Sequence, residues 1–236
     1  MSAVVSTVRL HLNQRTTSFL VPLYITAMVA VISILISLIF WRAGSQPGSE
    51  GWIMGSQSNP GIIYGLAGFL IYLGVASVST TFPFALTLGA TRRAFTAGTL
   101  LWNATMALYL ALVFAVLLAL ELATDHWFVG FYIFDIHALG AGDFGRLFVM
   151  VSLGVLSALT IGGVFGASWV RFGGRGPQFI AIGVVLAIAL VLIILIPQAA
   201  TILAGFEDWW LAVAAGVVIV VAGTGTWLLL RPASVR

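Results

Sequence analysis

Six long apolar runs constrain the fold more than any other feature of the sequence. They cover residues 21–41, 61–82, 94–120, 146–170, 179–196 and 210–230. A helix of about 20 apolar residues crosses the ~30 Å hydrocarbon core of a bilayer, so each run is long enough to span it. Only 7% of the residues are charged, whereas soluble domains carry about 25%. The sequence therefore predicts an all-α membrane protein, with residues 1–236 forming one transmembrane domain of six helices.

The segment before the first run, residues 1–19, has a different pattern. Val5, Val8 and Leu12 follow helical spacing, and arginines lie between and after them. This pattern predicts an N-terminal amphipathic helix lying in the membrane interface. A cleaved signal peptide is the alternative, but the following apolar run exceeds the usual h-region of about 7–15 residues and no A-x-A cleavage site follows.

The arginines predict the orientation in the membrane. Six spans place both termini on one side, and lysines and arginines near span ends favour the cytoplasm. With cytoplasmic termini, the inner arginines are Arg9, Arg15, Arg92, Arg93, Arg171, Arg175, Arg231 and Arg236, and the outer ones are Arg42 and Arg146. All acidic residues (Glu50, Glu121, Asp125, Asp135, Asp143, Glu207 and Asp208) are then outside. This asymmetry predicts a multi-pass protein with both termini in the cytoplasm.

The connection between the second and third runs, TTFPFALTLGATRRAFTAGTLL at residues 80–101, has the signals of a helical hairpin. Pro83 suits the first turn of a short helix, Gly89 suits its left-handed end, and Thr91 can cap the next helix. The apolar residues of the short helix are Phe84, Leu86 and Leu88, and the turn ends in the adjacent pair Arg92 and Arg93. Residues 83–93 are therefore predicted to form a cytoplasmic helix–turn–helix; an ordinary arginine-bearing connector is the alternative.

Two short segments resemble one family. FPFALTLGATRRAFTAG after the second span and WVRFGGRG at the end of the fourth are similar to ABC exporter permeases of the ABC-2 type. Small bacterial members share six spans, a leading amphipathic helix and a G-x-[ST]-R-R-x-[FY] turn. The resemblance implies a permease subunit in the cell membrane of a bacterium.

The resemblance also implies partners. In that family, the loop after the second span docks in a groove of a separate cytoplasmic ATPase, which the leading helix also touches. The positions matching this loop are Phe84, Leu86, Leu88, Gly89, Thr91, Arg92 and Arg93. A second permease subunit is expected to pack on spans 1 and 5 around a path lined by spans 1, 2 and 5, with membrane lipid around the pair. The family's re-entrant hairpin after span 5 would have to fit within QAATILAGFEDWW, which is barely long enough.

Several residue types are absent, which excludes some functions. Without Lys the chain has no G-x-x-x-x-G-K-[ST] loop, so ATP and Mg are expected only in the partner ATPase. Without Cys it has no thiolate metal site. A metal bound by His126, His137, Asp125 and Asp135 is an alternative, although the histidines lack a standard ligand spacing. The arginines are scattered along the chain, so no nucleic-acid partner is expected. The chain is predicted not to be an enzyme and to hold no cofactor.

Small and weakly polar residues recur within the spans. Ser33 and Ser37 on span 1, and Ser77 and Thr80 on span 2, predict two polar faces that could line a path. Small residues expected to bring helices close together are Gly61, Gly65, Gly154, Ala158, Gly162 and Gly166. No charged group or histidine lies in the middle of a span, which disfavours a proton-driven pump and suggests an amphipathic, lipid-like or drug-like cargo. The alternative function is a six-span scaffold or sensor subunit without transport activity.

Overall fold

The computed structural model describes residues 3–12, 16–207 and 209–233, and no β-strand occurs among them. Arg15, Asp208 and Arg236, which contribute to the predicted orientation, lie outside these ranges. The helices are α1 (Ala3–Leu12), α2 (Val21–Arg42), α3 (Glu50–Gln57), α4 (Gly61–Ser79), α5 (Thr81–Thr87), α6 (Arg92–Ala123), α7 (Phe144–Phe172), α8 (Arg175–Leu195), α9 (Ala199–Ala204) and α10 (Trp209–Leu230). The chain is thus helical, as the apolar runs predict.

Six helical segments in the described ranges are long and apolar enough to cross a membrane. They are Thr16–Arg42, Glu50–Thr87, Arg92–Ala123, Phe144–Phe172, Arg175–Ile202 and Trp209–Leu230. Their number confirms the prediction of six helices that could span a bilayer. The second segment joins three helices, because α4 ends at Ser79 and α5 begins at Thr81. After α8, a short 3₁₀ turn at Ile196–Gln198 leads into α9.

The sequence between the first two spans is rich in Gly, Ser and Pro, which is typical of a loop, but it contains α3. Ser49 caps this helix by accepting a hydrogen bond from the backbone N–H of Trp52 at 3.3 Å. Glu50 lies in its first turn, where a negative charge is favourable. The indole of Trp52 is buried and donates to the carbonyl oxygen of Gly130 at 2.6 Å. The buried Trp52 side chain therefore holds a helix in a segment whose composition is typical of a loop.

The chain divides into two compact units. The first comprises Met1–Leu10, Ile71–Leu101 and Leu159–Arg236. Within it, α4 and α7 cross at glycines: a Cβ on Gly162 would overlap the carbonyl oxygen of Ile71, and one on Gly166 would lie 2.6 Å from that of Val75. Gly74 faces Gly162 at the same crossing and was not singled out in the sequence. The two backbones approach this closely because neither carries a side chain there.

The second unit comprises His11–Leu70 and Trp102–Ala158. Within it, α4 packs on α2 through Gly65, where a Cβ would lie 2.6 Å from Val29. Gly61 lies beside the same valine with more room. Gly154, nearer the start of α7, does not fit the expected packing stripe, since a Cβ there would meet no atom within 4 Å. Ala158 is buried. Close packing along the stripe is thus strongest at Gly162 and Gly166.

Replacing Gly162 by Ala should destabilise the protein, whereas Gly154→Ala on the same helix should not. Overpacking of a tight contact costs about 1–3 kcal/mol, and Ala at an open helical position is favoured over Gly by roughly 1 kcal/mol. Thermal unfolding of the detergent-solubilised protein, followed by tryptophan fluorescence, should show a lower midpoint for Gly162→Ala alone. Equal midpoints for the two variants would contradict a close crossing at Gly162.

Candidate coupling site

The hairpin between the second and third spans is closed by the residue types that predict it. Pro83 is the third residue of α5. Gly89 has φ +81°, its N–H donates to the carbonyl of Leu86, and the N–H of Ala90 donates to that of Ala85, both at 3.0 Å. This pair of bonds is a Schellman motif, which satisfies the last carbonyls of a helix. The turn therefore stops α5 sharply.

The next helix begins at once. The hydroxyl of Thr91 accepts a hydrogen bond from the backbone N–H of Ala94 at 3.2 Å, which caps α6. Only four residues, 88–91, separate α5 from α6. The result is a compact helix–turn–helix with little freedom at its turn.

One face of the hairpin is fixed in a buried cluster. Phe82 and Ala85 of α5 are completely buried, and the ring of Phe82 meets that of Phe95 edge to face with centroids 5.1 Å apart. The other buried members of the cluster are Val78, Ala167, Leu230 and Ala233. Because these residues come from α4 to α7 and from the end of α10, displacement of the hairpin would disturb all of those helices.

The opposite face points outward. Phe84 is 55% exposed and Leu88 is 62% exposed. Arg93 and Gly89 are also exposed. Leu86, in contrast, is half-buried against the cluster. Among the predicted coupling residues, the outward side chains available to a partner are therefore Phe84, Leu88, Thr91 and Arg93.

Arg92 has a partner within the chain. Its guanidinium donates hydrogen bonds to the carbonyl oxygens of Arg231 and Ala233, the latter at 2.7 Å. The adjacent Leu230 and Ala233 side chains are buried in the cluster. Bonds from a charged donor are stronger than neutral ones, so Arg92 holds the segment after α10 against the start of α6. No sequence pattern indicates this contact, because the partners of Arg92 are backbone atoms.

Helix α1 lies beside the hairpin. A cavity of about 160 Å³ lies between them, lined by Thr7 and Leu10 on one side and by Ala85 and Leu88 on the other. Thr7 is buried. A Cβ added to Gly98 would lie only 2.6 Å from the Cβ of Thr7. The packed face of α1 thus differs from the expected valine stripe.

Val5 and His11 show how the packed face of α1 differs from the predicted one. Val5, expected on the apolar stripe, is 43% exposed. His11 is buried and stacks on Trp102, with ring centroids 5.9 Å apart and planes at 16°. Burial lowers the pKa of His11 to about 4, so this imidazole is neutral at physiological pH. A neutral ring can occupy this site without a counter-charge.

The predicted path residues fall into two groups. Ser77 donates to the carbonyl of Gly74 at 2.8 Å, and Thr80 donates to that of Ala76 at 2.7 Å. These hydroxyls are satisfied by their own helix, which is the usual fate of Ser and Thr in spans. Ser33 is buried and Ser37 is half-buried on α2. Ser37 lines a cavity, whereas Ser77 and Thr80 are used locally.

Glu121 organises the loop after α6, a role that the sequence did not reveal. Its carboxylate is completely buried. It accepts hydrogen bonds from the backbone N–H groups of Ile133, Phe134 and Asp135, at 2.9–3.1 Å for the shortest contact of each. The indole N–H of Trp127 adds a fourth donor at 3.0 Å. A carboxylate surrounded by four donors needs no cation, so Glu121 belongs to the folded core and not to a solvated loop.

The same loop contains the residues considered for a metal. His126 Nε2 lies 3.0 Å from Asp135 Oδ2, and its ring packs on Tyr132 with centroids 4.0 Å apart. Burial raises the pKa of Tyr132, and the carboxylates of Asp135, Asp125 and Glu121 add to the effect. Among the described residues, no group of three or more metal-ligating side chains is found. His126 instead contacts two carboxylates, because its Nδ1 also lies 3.7 Å from Asp125 Oδ1.

Four consecutive residues of this loop, Asp125 to Phe128, have φ between 50° and 65°. Residues with side chains seldom adopt this left-handed conformation, and they persist in it only when the surroundings hold them. Two contacts do so here. The hydroxyl of Thr124 accepts from the N–H of Trp127 at 3.1 Å, and Glu121 binds the indole of the same residue. The turn leaves Phe128 84% exposed.

Comparison with known proteins assigns no family. The chain matches no protein-family profile, no curated protein and no solved structure. Its six apolar helical segments are compatible with a multi-pass membrane protein. Its function has to be inferred from its own residues.

Replacing Glu121 by Gln should loosen residues 126–135. The amide NH₂ would meet backbone N–H donors, and a hydrogen bond to a charged group contributes about 1.5–3 kcal/mol. Hydrogen exchange followed by mass spectrometry should show at least about tenfold faster exchange of the amides of residues 133–135. Glu207→Gln is the matched control, because within the described residues that carboxylate accepts only from the nearby indole N–H of Trp209. Unchanged exchange in Glu121→Gln would refute the anchoring role.

Proposed function

We propose that this chain is the membrane-spanning permease subunit of an ATP-driven exporter, similar to the ABC-2 type, which works with a separate cytoplasmic ATPase. The observation that carries the proposal is the hairpin of α5 and α6. One of its faces is fixed in the buried cluster, while Phe84, Leu88 and Arg93 project outward. Exposed apolar side chains beside a cation are the usual composition of a docking site for a protein groove.

The hairpin suits the transmission of force. A partner that presses on α5 acts on Phe82 and Ala85, which are packed against Phe95 of α6 and Ala167 of α7. Close-packed interiors have low compressibility, so displacement is passed on to the spans instead of being absorbed. ATP and Mg would bind in the partner, because this chain has no lysine for a phosphate loop.

Burial of the spans supports a second permease subunit. None of the most apolar stretch of Arg175–Ile202 is buried, and 17% of that of Thr16–Arg42 and 22% of that of Trp209–Leu230 are, compared with 44% for Phe144–Phe172. Spans 1 and 5 are those that the family resemblance assigns to the dimer. A second copy or a close homologue would cover part of this surface, and membrane lipid would cover the rest.

The orientation follows from the arginines. Arg92, Arg93, Arg171 and Arg175 lie at the span ends that carry the hairpin and the turn between α7 and α8. We place these ends and both termini in the cytoplasm of a bacterial cell. Helix α1 would then lie in the inner interface with the exposed Val5 toward lipid. The spans would alternate between inward and outward access for an amphipathic, lipid-like or drug-like cargo.

Single cysteines test the orientation, because the chain has no Cys of its own. Ser58→Cys, next to α3, should react with a membrane-impermeant maleimide on intact cells, and Thr87→Cys, on the hairpin, should react only after the cells are opened. Both side chains are exposed, so the difference reports sidedness and not burial. The reverse pattern would overturn the topology.

Changes on the outer face of the hairpin should reduce assembly with the ATPase. Arg93→Gln and Leu88→Asp, made in the tagged subunit and compared at equal membrane expression, should each lower the co-purified ATP hydrolysis. Loss of a hot-spot side chain at an interface costs about 2 kcal/mol or more, so Leu88→Asp at such a position should lower the co-purified ATP hydrolysis by about tenfold or more. The subunit free of partners should hydrolyse no ATP above background.

Two controls separate docking from folding. Arg92→Gln removes the same charge one residue earlier but from a side chain bound within the chain, so it should lower thermal stability more than partner recovery. Arg171→Gln with Arg175→Gln removes charge from the other inner turn. If the Arg93 and Leu88 variants retain as much ATPase as the unmodified subunit, the hairpin is only a connector, and a scaffold or sensor subunit becomes the better interpretation.

A further inference from the structure

A cavity of about 380 Å³ lies between the end of α2, α3 and Asn59, which precedes α4. Its walls combine two kinds of side chain. Ile36, Phe40 and Trp52 are apolar, and Ser37, Ser56 and Asn59 are polar. The volume lies within the range of small-molecule sites and would hold about a dozen water molecules at liquid density. The cavity therefore has room for a head group of a few linked polar atoms.

The polar side chains that line the cavity are available to hydrogen-bond a ligand. Within the described chain, no hydrogen bond is found from the hydroxyl of Ser37 or of Ser56, although many other Ser and Thr residues bond to a helix carbonyl. The side-chain oxygen of Asn59 accepts from the N–H of Gly61 at 2.9 Å, which leaves its NH₂ group as a donor. Hydroxyls both donate and accept, so they match a ligand that does the same.

The cavity carries no formal charge. None of the described residues that line it is acidic, basic or a histidine. A charged head group would lose hydration there without gaining a counter-charge, which is unfavourable. The wall therefore favours a neutral ligand.

The apolar side of the cavity continues into the exposed surface of α2. Ile36 is 42% exposed and Phe40 57% exposed, and the neighbouring Ile32 and Ile39 are exposed as well. In a bilayer this surface faces hydrocarbon. An alkyl chain could lie along it while a polar group occupies the cavity.

We propose that this cavity binds the neutral, hydroxyl-bearing head group of an amphiphile, of the alkyl glycoside kind, with its alkyl chain along α2. Binding of this kind does not depend on whether the chain is a permease. It gives Ser37 a partner that its own helix does not supply.

A single thiol inside the cavity tests the proposal. Gly55 lines the cavity, and a Cβ added there meets no atom within 4 Å, so Gly55→Cys fits without rearrangement. In lipid nanodiscs, octyl glucoside below its micellar concentration should slow maleimide labelling of this thiol in a saturable manner. Octyl sulfate and octyltrimethylammonium, with the same tail and opposite charges, should not. Equal protection by all three would refute a site selective for a neutral head group.

Two further variants decide whether the wall hydroxyls are responsible. Adding Ser37→Ala and Ser56→Ala to the Gly55→Cys protein should raise the half-protecting concentration of octyl glucoside by about tenfold. A thiol at Ser58, on the same segment but outside the cavity, should not be protected. Protection that is unchanged by the two alanines, or that is equal at Ser58, would overturn the assignment.

Discussion

The absence of water from the hydrocarbon interior is the constraint on which the structure depends. Every backbone N–H and C=O there has to be satisfied within the protein, and a helix does this within one segment. Six helical segments follow directly from six apolar runs. The constraint relaxes only at the ends of the helices, and these ends carry the polar contacts that distinguish this chain: the Gly89 turn, the Thr91 cap, the Arg92 contact and the buried Glu121 carboxylate.

The two ends of α6 carry buried or bonded side chains of opposite charge, and this difference follows from the same constraint. At its start, Arg92 supplies a cation to carbonyl groups that have no helical partner after α10. At its end, Glu121 supplies an anion to the N–H groups of residues 133–135, which belong to neither a ladder nor a helix. In each case one charged side chain replaces several missing backbone bonds.

Sequence reasoning reached the elements that depend on local signals. The spans follow from runs of apolar residues, and the hairpin follows from Pro83, Gly89 and Thr91, whose preferences act within a few positions. Contacts between distant parts of the chain gave no such signal. The burial of Glu121 depends on donors 12 to 14 residues away, and the partner of Trp52 is 78 residues away. Helix α3 was not predicted because its segment is rich in Gly and Ser and its anchoring contact is distant in sequence. The regular spacing of small residues on α7 likewise did not distinguish Gly154, which lies in open space, from Gly162, which lies at a helix crossing.

The contact between Arg92 and the segment after α10 also has a consequence for the order of biosynthesis. The residues that Arg92 binds are made 139 and 141 positions after it, when the hairpin has long left the ribosome. Until the sixth span is inserted, the arginine lacks these acceptors and the cluster lacks Leu230 and Ala233. The hairpin surface therefore matures last, and a chain that stalls before its final span would present an incomplete surface to any partner that recognises it.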